Sequence, residues 1–301
     1  MALARRKPVL RLIVRRSLSA LLASLLCTAT FAMPGRAHQS PPRATAWGGD
    51  SRSIDRAATQ ALRLARGHRL VILGDLHGTR EIPLLVGDMI DRTSRRQPVT
   101  LALEMPRSEQ PSLDAALAAR DAAVARRQLL DRPWWRRGDN QHDGRRSVDM
   151  LELIERLRTL RQQGRDVALL AYDVDESVMS SIASADASAR DEAMAARVRQ
   201  ACLDLPRRRI VMLTGNFHAF LRIPSYMAAP AGIVTAGMRL ADLAPASLRI
   251  GALRGQGWFC VDKACKAIPV GPAGAPTEGE FTGAISLPAL HVGRLVTLPM
   301  R

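Results

Sequence analysis

Short apolar runs in this sequence end repeatedly on groups that can move protons or hold ions. RLVILGDLHG delivers Asp75 and His77, VTLALE delivers Glu104, ALLAYD delivers Asp173 and IVMLTGNFH delivers His218. Two histidines with carboxylates can support hydrolysis in two ways. His77, Glu104 and His218 could hold a divalent cation such as Mn, Co or Zn, which lowers the pKa of a bound water. Without metal, His77 paired with a carboxylate could act as general base on water, with Arg190 steadying negative charge. A covalent route is disfavoured, because there is no G-x-S-x-G elbow and no cysteine nucleophile motif. The expected catalytic set is therefore Asp75, His77, Glu104, Arg190 and His218. Asp75 can orient a histidine or cap the next helix. Asp173 reads as structural. Arg190 and Asp191 open a helix, where Asp191 suits the dipole as well as a site. Asp143, Arg145 and Ser147 form a polar loop in which Ser147 can serve as an N-cap.

These groups can meet only if the runs before them are neighbouring strands. Arg69–Leu73, Val99–Leu103, Val167–Ala171 and Ile210–Leu213 have the length and apolar content of buried strands. Between them the spacing predicts helices over Thr79–Arg96, Ser112–Leu130, Val148–Gln163 and Ala189–Asp204, with another over Ser53–Arg66. Strands alternating with helices predict an α/β fold, a mostly parallel sheet covered on both faces. In such a sheet the loops after the strand ends converge on one crevice.

The chain divides into a signal segment 1–37, a linker 38–52 and a single α/β domain 53–301. That domain carries a helical insert at about 106–147 and a β-rich tail at about 232–301. In the signal segment a cationic start (Arg5, Arg6, Lys7, Arg11, Arg15, Arg16) precedes an apolar run from Leu18 to Ala32. That order predicts export to the periplasm or outside the cell, with no stable membrane span after cleavage. Arg15-Arg16 also hints at the twin-arginine route. Residues 1–37 hold seven Lys or Arg and no acid, so the formal +16 falls to +9 without them. Arginines scattered over helix faces and few aromatics argue against nucleic acid as a partner. A small molecule or peptide is the expected partner. Cys260 and Cys265 flank a polar turn between two apolar stretches, which in an oxidising compartment predicts a disulfide hairpin, with a zinc pair the alternative though no second ligand pair is nearby. Cys202 is expected on a buried helix face.

At these residues the chain resembles the superfamily joining erythromycin esterases, ChaN-type haem-binding lipoproteins and Tiki/TraB peptidases. Gly74-Asp75-Leu76-His77 has the spacing of the G-x-x-H signature, and Gly78-Thr79-Arg80-Glu81 looks like the H-G-T-x-E continuation of the esterases. Glu104 at a strand end is similar to the next motif. Arg190, Asp191 and Met194 resemble its Arg-Asp-x-x-Met helix start, and Gly215 with His218 its last block. Asp143–Ser147 also looks like members of the group. The resemblance covers Arg69 to Phe220, and it implies an α/β core with His77, Glu104 and His218 at the site. It implies ester, lactone or metal-dependent peptide hydrolysis, or alternatively haem binding without turnover, with Tyr172 and Tyr226 the tyrosines available as ligands. Asp75, where the esterases usually carry Glu, leaves the substrate open. A second resemblance is to calcineurin-like metallophosphoesterases, through GDLHG, GDMIDR at Gly87–Arg92 and GNFH. Against it, the gap from His77 to Asp88 is too short for a helix and a strand, and GDMID reads as part of an amphipathic helix.

Overall fold

The computed structural model describes residues 51–136, 143–175, 177–178, 188–225, 227, 232–261, 264–271 and 279–296. The expected signal segment and the linker up to residue 50 lie outside the described residues. Ser51 and Arg52 already belong to the first helix, α1 (Ser51–Leu64).

Six parallel strands form the main sheet: β1 (Leu70–Asp75), β2 (Val99–Pro106), β3 (Val167–Asp173), β4 (Arg209–Gly215), β5 (Ala246–Ala252) and β8 (Gly283–Leu287). Their spatial order is β3-β2-β4-β1-β5-β8, and every pairing is parallel. A parallel sheet must be covered on both faces, and β1 shows how its sequence meets that demand. Val71 and Leu73 face one side, packing with residues of α1, of α2 (Glu81–Ser94) and of α5 (Val148–Gln162). Leu70 and Ile72 face the other, against Met194, Val198 and Cys202 of α6 (Ala189–Asp204). All four β1 side chains are buried, which is why the run shows no polar alternation.

The predicted strands and helices form where expected, with three differences. The strands continue through the predicted site residues, because hydrogen bonding to neighbours carries β1 to Asp75, β3 to Asp173 and β4 to Gly215. The helix expected over Ser112–Leu130 is two, α3 (Gln110–Ala118) and α4 (Ala122–Leu130). Asp121 divides them by capping Val124 N at 2.8 Å, a short-range bond that competes with helix continuation. In the tail, β5 and β8 join the main sheet. Only β6 (Gln256–Val261) and β7 (Ala264–Pro269) stand apart, as an antiparallel pair joined by the Cys260–Cys265 disulfide. Cys202 is a free, buried cysteine on α6. The segment holding GDMID lies inside α2, where Asp88 pairs with Arg156 at 2.6 Å and Asp91 with Arg95 at 3.2 Å. No helix among the described residues is long and apolar enough to cross a membrane.

Candidate active site

The order β3-β2-β4-β1 sets four strand ends side by side, so Asp173, Glu104, Gly215 and Asp75 leave the sheet at one rim. Strand alternation puts Glu104 on the same face as Ala102, opposite Leu101, Leu103 and Met105.

Glu104 is the centre of the cluster, with its side chain 5% exposed. Its Oε2 accepts from Thr214 Oγ1 at 2.9 Å and from the Gly215 backbone N–H at 2.8 Å. Its Oε1 accepts from Arg145 Nη1 at 2.8 Å and Arg190 Nη2 at 2.7 Å. Burial alone would push the carboxyl up. The guanidinium of Arg145, then His77 and Arg190, outweighs burial and holds it well below the usual carboxylate range. Glu104 is thus an ionised anchor whose lone pairs are committed.

Two histidines flank it, each with its own aspartate. His77 Nδ1 lies 2.8 Å from Asp75 Oδ1, and its Nε2 lies 3.8 Å from Glu104 Oε1. Asp75 acts on His77 through its charge first and through hydrogen bonding second. Burial would lower the imidazolium, but Asp75 and Glu104 more than offset this and raise His77 to about 9. Burial also raises Asp75. His218 Nδ1 lies 2.8 Å from Asp191 Oδ1, which also accepts from Ala236 N at 2.7 Å. His218 Nε2 lies 3.0 Å from Arg190 Nη1. Arginine only donates, so this contact assigns the lone pair to Nε2 and the proton to Nδ1.

Arg190 also grips Asp173, through Nε to Oδ1 at 3.0 Å and Nη2 to Oδ2 at 2.7 Å. Arg145 reaches Asp173 Oδ2 at 3.1 Å and binds Asp143 through both Nε and Nη2. That pairing holds Asp143 below the usual carboxylate range despite its burial. Ser147 caps α5 by accepting from Met150 N at 3.1 Å, and so fixes the segment that carries Arg145.

The structure therefore brings together Asp75, His77, Glu104, Arg190 and His218. Two further residues join them. Asp173, read as structural, shares both guanidiniums with Glu104 and so sits within the cluster. Arg145, read as one residue of a polar loop, is a principal partner of Glu104. Asp173 carried the same signal as the others, a carboxylate closing an apolar run. Arg145 carried none beyond the DGR-x-S resemblance, because its role depends on a loop folding back over the sheet.

The donor set does not suit a divalent metal. Glu104 Oε1, the oxygen nearest both Nε2 atoms, already carries two guanidinium cations. Among the described residues no group of three or more His, Cys, Asp or Glu could hold a metal ion. Tyr172 is fully buried and donates to Leu213 O at 2.8 Å, so it is not an accessible haem ligand. Tyr226 lies outside the described residues.

A parallel α/β domain with its charged cluster at the strand ends defines the class. No protein-family model and no curated protein sequence matches the chain. Among solved structures, a mutant of the erythromycin esterase EreC in its open conformation superposes with a TM-score of 0.58 at 12% identity, covering 80% of this chain and 95% of that one. A succinoglycan biosynthesis protein gives 0.56 at 9% identity over 81% and 98%, and a protein from Bacillus cereus gives 0.54 at 9% over 81% and 99%. The chain shares the fold of these three structures.

Proposed function

We propose that this protein is an exported hydrolase that uses His77 as general base on a water attacking an ester, lactone or peptide bond. One observation carries the reading: a histidine backed by a carboxylate stands beside a buried, ionised Glu104 and two guanidiniums. The elements support distinct roles. Neutral His77 takes the proton of water at Nε2, and the Asp75 and Glu104 charges stabilise the imidazolium that forms. Arg190 steadies the negative charge developing on the carbonyl oxygen. His218, with its proton on Nδ1 and Asp191 behind it, orients Arg190. Glu104 anchors both arginines and, with its oxygens filled, takes no proton itself. The reading needs no metal step. The disulfide hairpin is compatible with an oxidising compartment.

The test is turnover of a panel of activated esters, lactones and peptides by the wild type and by His77→Asn. Turnover that is lost in the variant, while its circular dichroism matches the wild type, is the expected result. Equal turnover in the two proteins would remove His77 from the chemistry. Elemental analysis of the active wild type checks the metal-free part, and stoichiometric metal lost together with activity would overturn it.

A further inference from the structure

Between the end of β1 and the Gly144–Ser147 segment lies a cavity of about 20 Å³. His77 and Glu104 of the candidate site line it on the polar side together with Asp75, Thr79 and Arg145, and Leu103, Met150 and Leu213 on the apolar side. Its volume suits a single water. Two polar atoms of these residues are buried with hydrogen-bonding capacity to spare: Thr79 Oγ1 has no partner, and Asp75 Oδ1 has only His77 Nδ1, 2.8 Å away. Thr79 is 2% exposed, so bulk solvent does not reach its hydroxyl. Its backbone is pinned by an antiparallel bridge to Val292. A cavity that stays dry is lined by apolar atoms alone, whereas this one is lined by a residue with an unpartnered hydroxyl and by a carboxylate with a lone pair to spare.

We propose that this cavity is a built site for one water molecule bridging Thr79 and Asp75, and that Thr79 is a positioning residue acting through it on His77. The water accepts from the Thr79 hydroxyl and donates to Asp75 Oδ1. It thereby fixes the carboxylate that lies 2.8 Å from His77 Nδ1. The inference holds whichever reaction the site performs.

The sign of a stability change separates this site from a dry cavity. Replacing an unpaired buried hydroxyl by a methyl group is neutral or stabilising, whereas removing a satisfied partner leaves another group orphaned. Thr79→Val is therefore expected to lower the melting temperature by a few degrees, and Thr79→Ser to recover most of the loss. In protein labelled at histidine nitrogens, the His77 Nδ1–H resonance should move in Thr79→Val and return in Thr79→Ser. A wild-type crystal structure should show ordered water within hydrogen-bond reach of both atoms. A dry cavity in that structure, a melting temperature unchanged or raised in Thr79→Val, or a resonance that stays put in Thr79→Val would each overturn the proposal. Should Thr79→Val fail to fold, the wild-type density decides.

Discussion

His77 is the residue on which the proposed chemistry depends most directly. Its conjugate acid is held to about 9, so the base form is scarce at neutral pH. For a general base, kcat/KM then rises about tenfold per pH unit and levels above about 9. Asp75 is the largest raising influence on His77, so Asp75→Asn should shift that limb to lower pH. A limb left unmoved, measured from kcat/KM between pH 5 and 10, would show that another group is the base. Glu104 makes a separate prediction about folding. Glu104→Gln leaves Arg145 and Arg190 short of a buried counter-charge, and removing one partner of such a pair costs about 3–5 kcal/mol. Urea unfolding at neutral pH reads this directly, and a loss below about 1 kcal/mol would mean that Asp173 and Asp143 suffice. The sequence pattern exposed Glu104 because a carboxylate closing an apolar run needs a partner. It could not name Arg145, some forty positions later along the chain, because that pairing depends on tertiary folding.

Among the elements, the segments carrying His77 and Arg145 are held together by backbone packing. Gly78 has φ +63 and Gly144 has φ +87. A Cβ on either would come within 2.2 or 2.3 Å of the Trp258 carbonyl on β6. Trp258 N also donates to Gly78 O at 3.1 Å. The hairpin β6–β7 thus packs onto the loops beside the site. An isolated two-stranded hairpin is marginal in water, and here the disulfide closes it. Gly144→Ala therefore combines positive-φ strain with a backbone clash and should displace the hairpin. The expected readouts are lower thermal stability and an altered near-ultraviolet signal from Trp258. An unchanged spectrum and melting temperature would mean that the loop relaxes freely. Ser147→Ala is a milder case. It removes the cap of α5 at a cost of about 1 kcal/mol, checked by denaturant midpoint. The hairpin itself was legible from two apolar stretches around a polar turn with a cysteine on each side. Its docking on Gly78 and Gly144 was not, because a glycine that admits a neighbouring carbonyl resembles any loop glycine in sequence.

At the scale of the whole molecule, the alternating strands and helices were legible because a sheet buried on both faces demands unbroken apolar runs. The places of β5 and β8 were not. Their Gly- and Pro-rich surroundings suggest a separate small tail, whereas parallel pairing of β5 to β1 and of β8 to β5 extends the main sheet. The charges gathered at the sheet's rim give the molecule a stability profile with a definite sign. Glu104 and Asp143 are lowered in the fold, so their contributions are present above the ordinary carboxylate values and are lost as pH falls. His77 is raised from 6.5 to about 9. Its contribution is complete below 6.5 and is lost as pH rises through 9. Between these values the native state keeps a proton that the unfolded chain has released. The unfolding free energy should then fall by about 1.4 kcal/mol per pH unit, up to about 3 kcal/mol in all. Asp75, raised by burial, opposes folding once its unfolded carboxyl ionises, so its contribution runs against those of Glu104 and Asp143. His77→Gln removes the only imidazole in this pair and should flatten the alkaline slope while leaving the acid limb in place. Urea unfolding at pH 6, 7, 8 and 9 for the two proteins measures the difference, and parallel slopes would place the shared proton on a group other than His77.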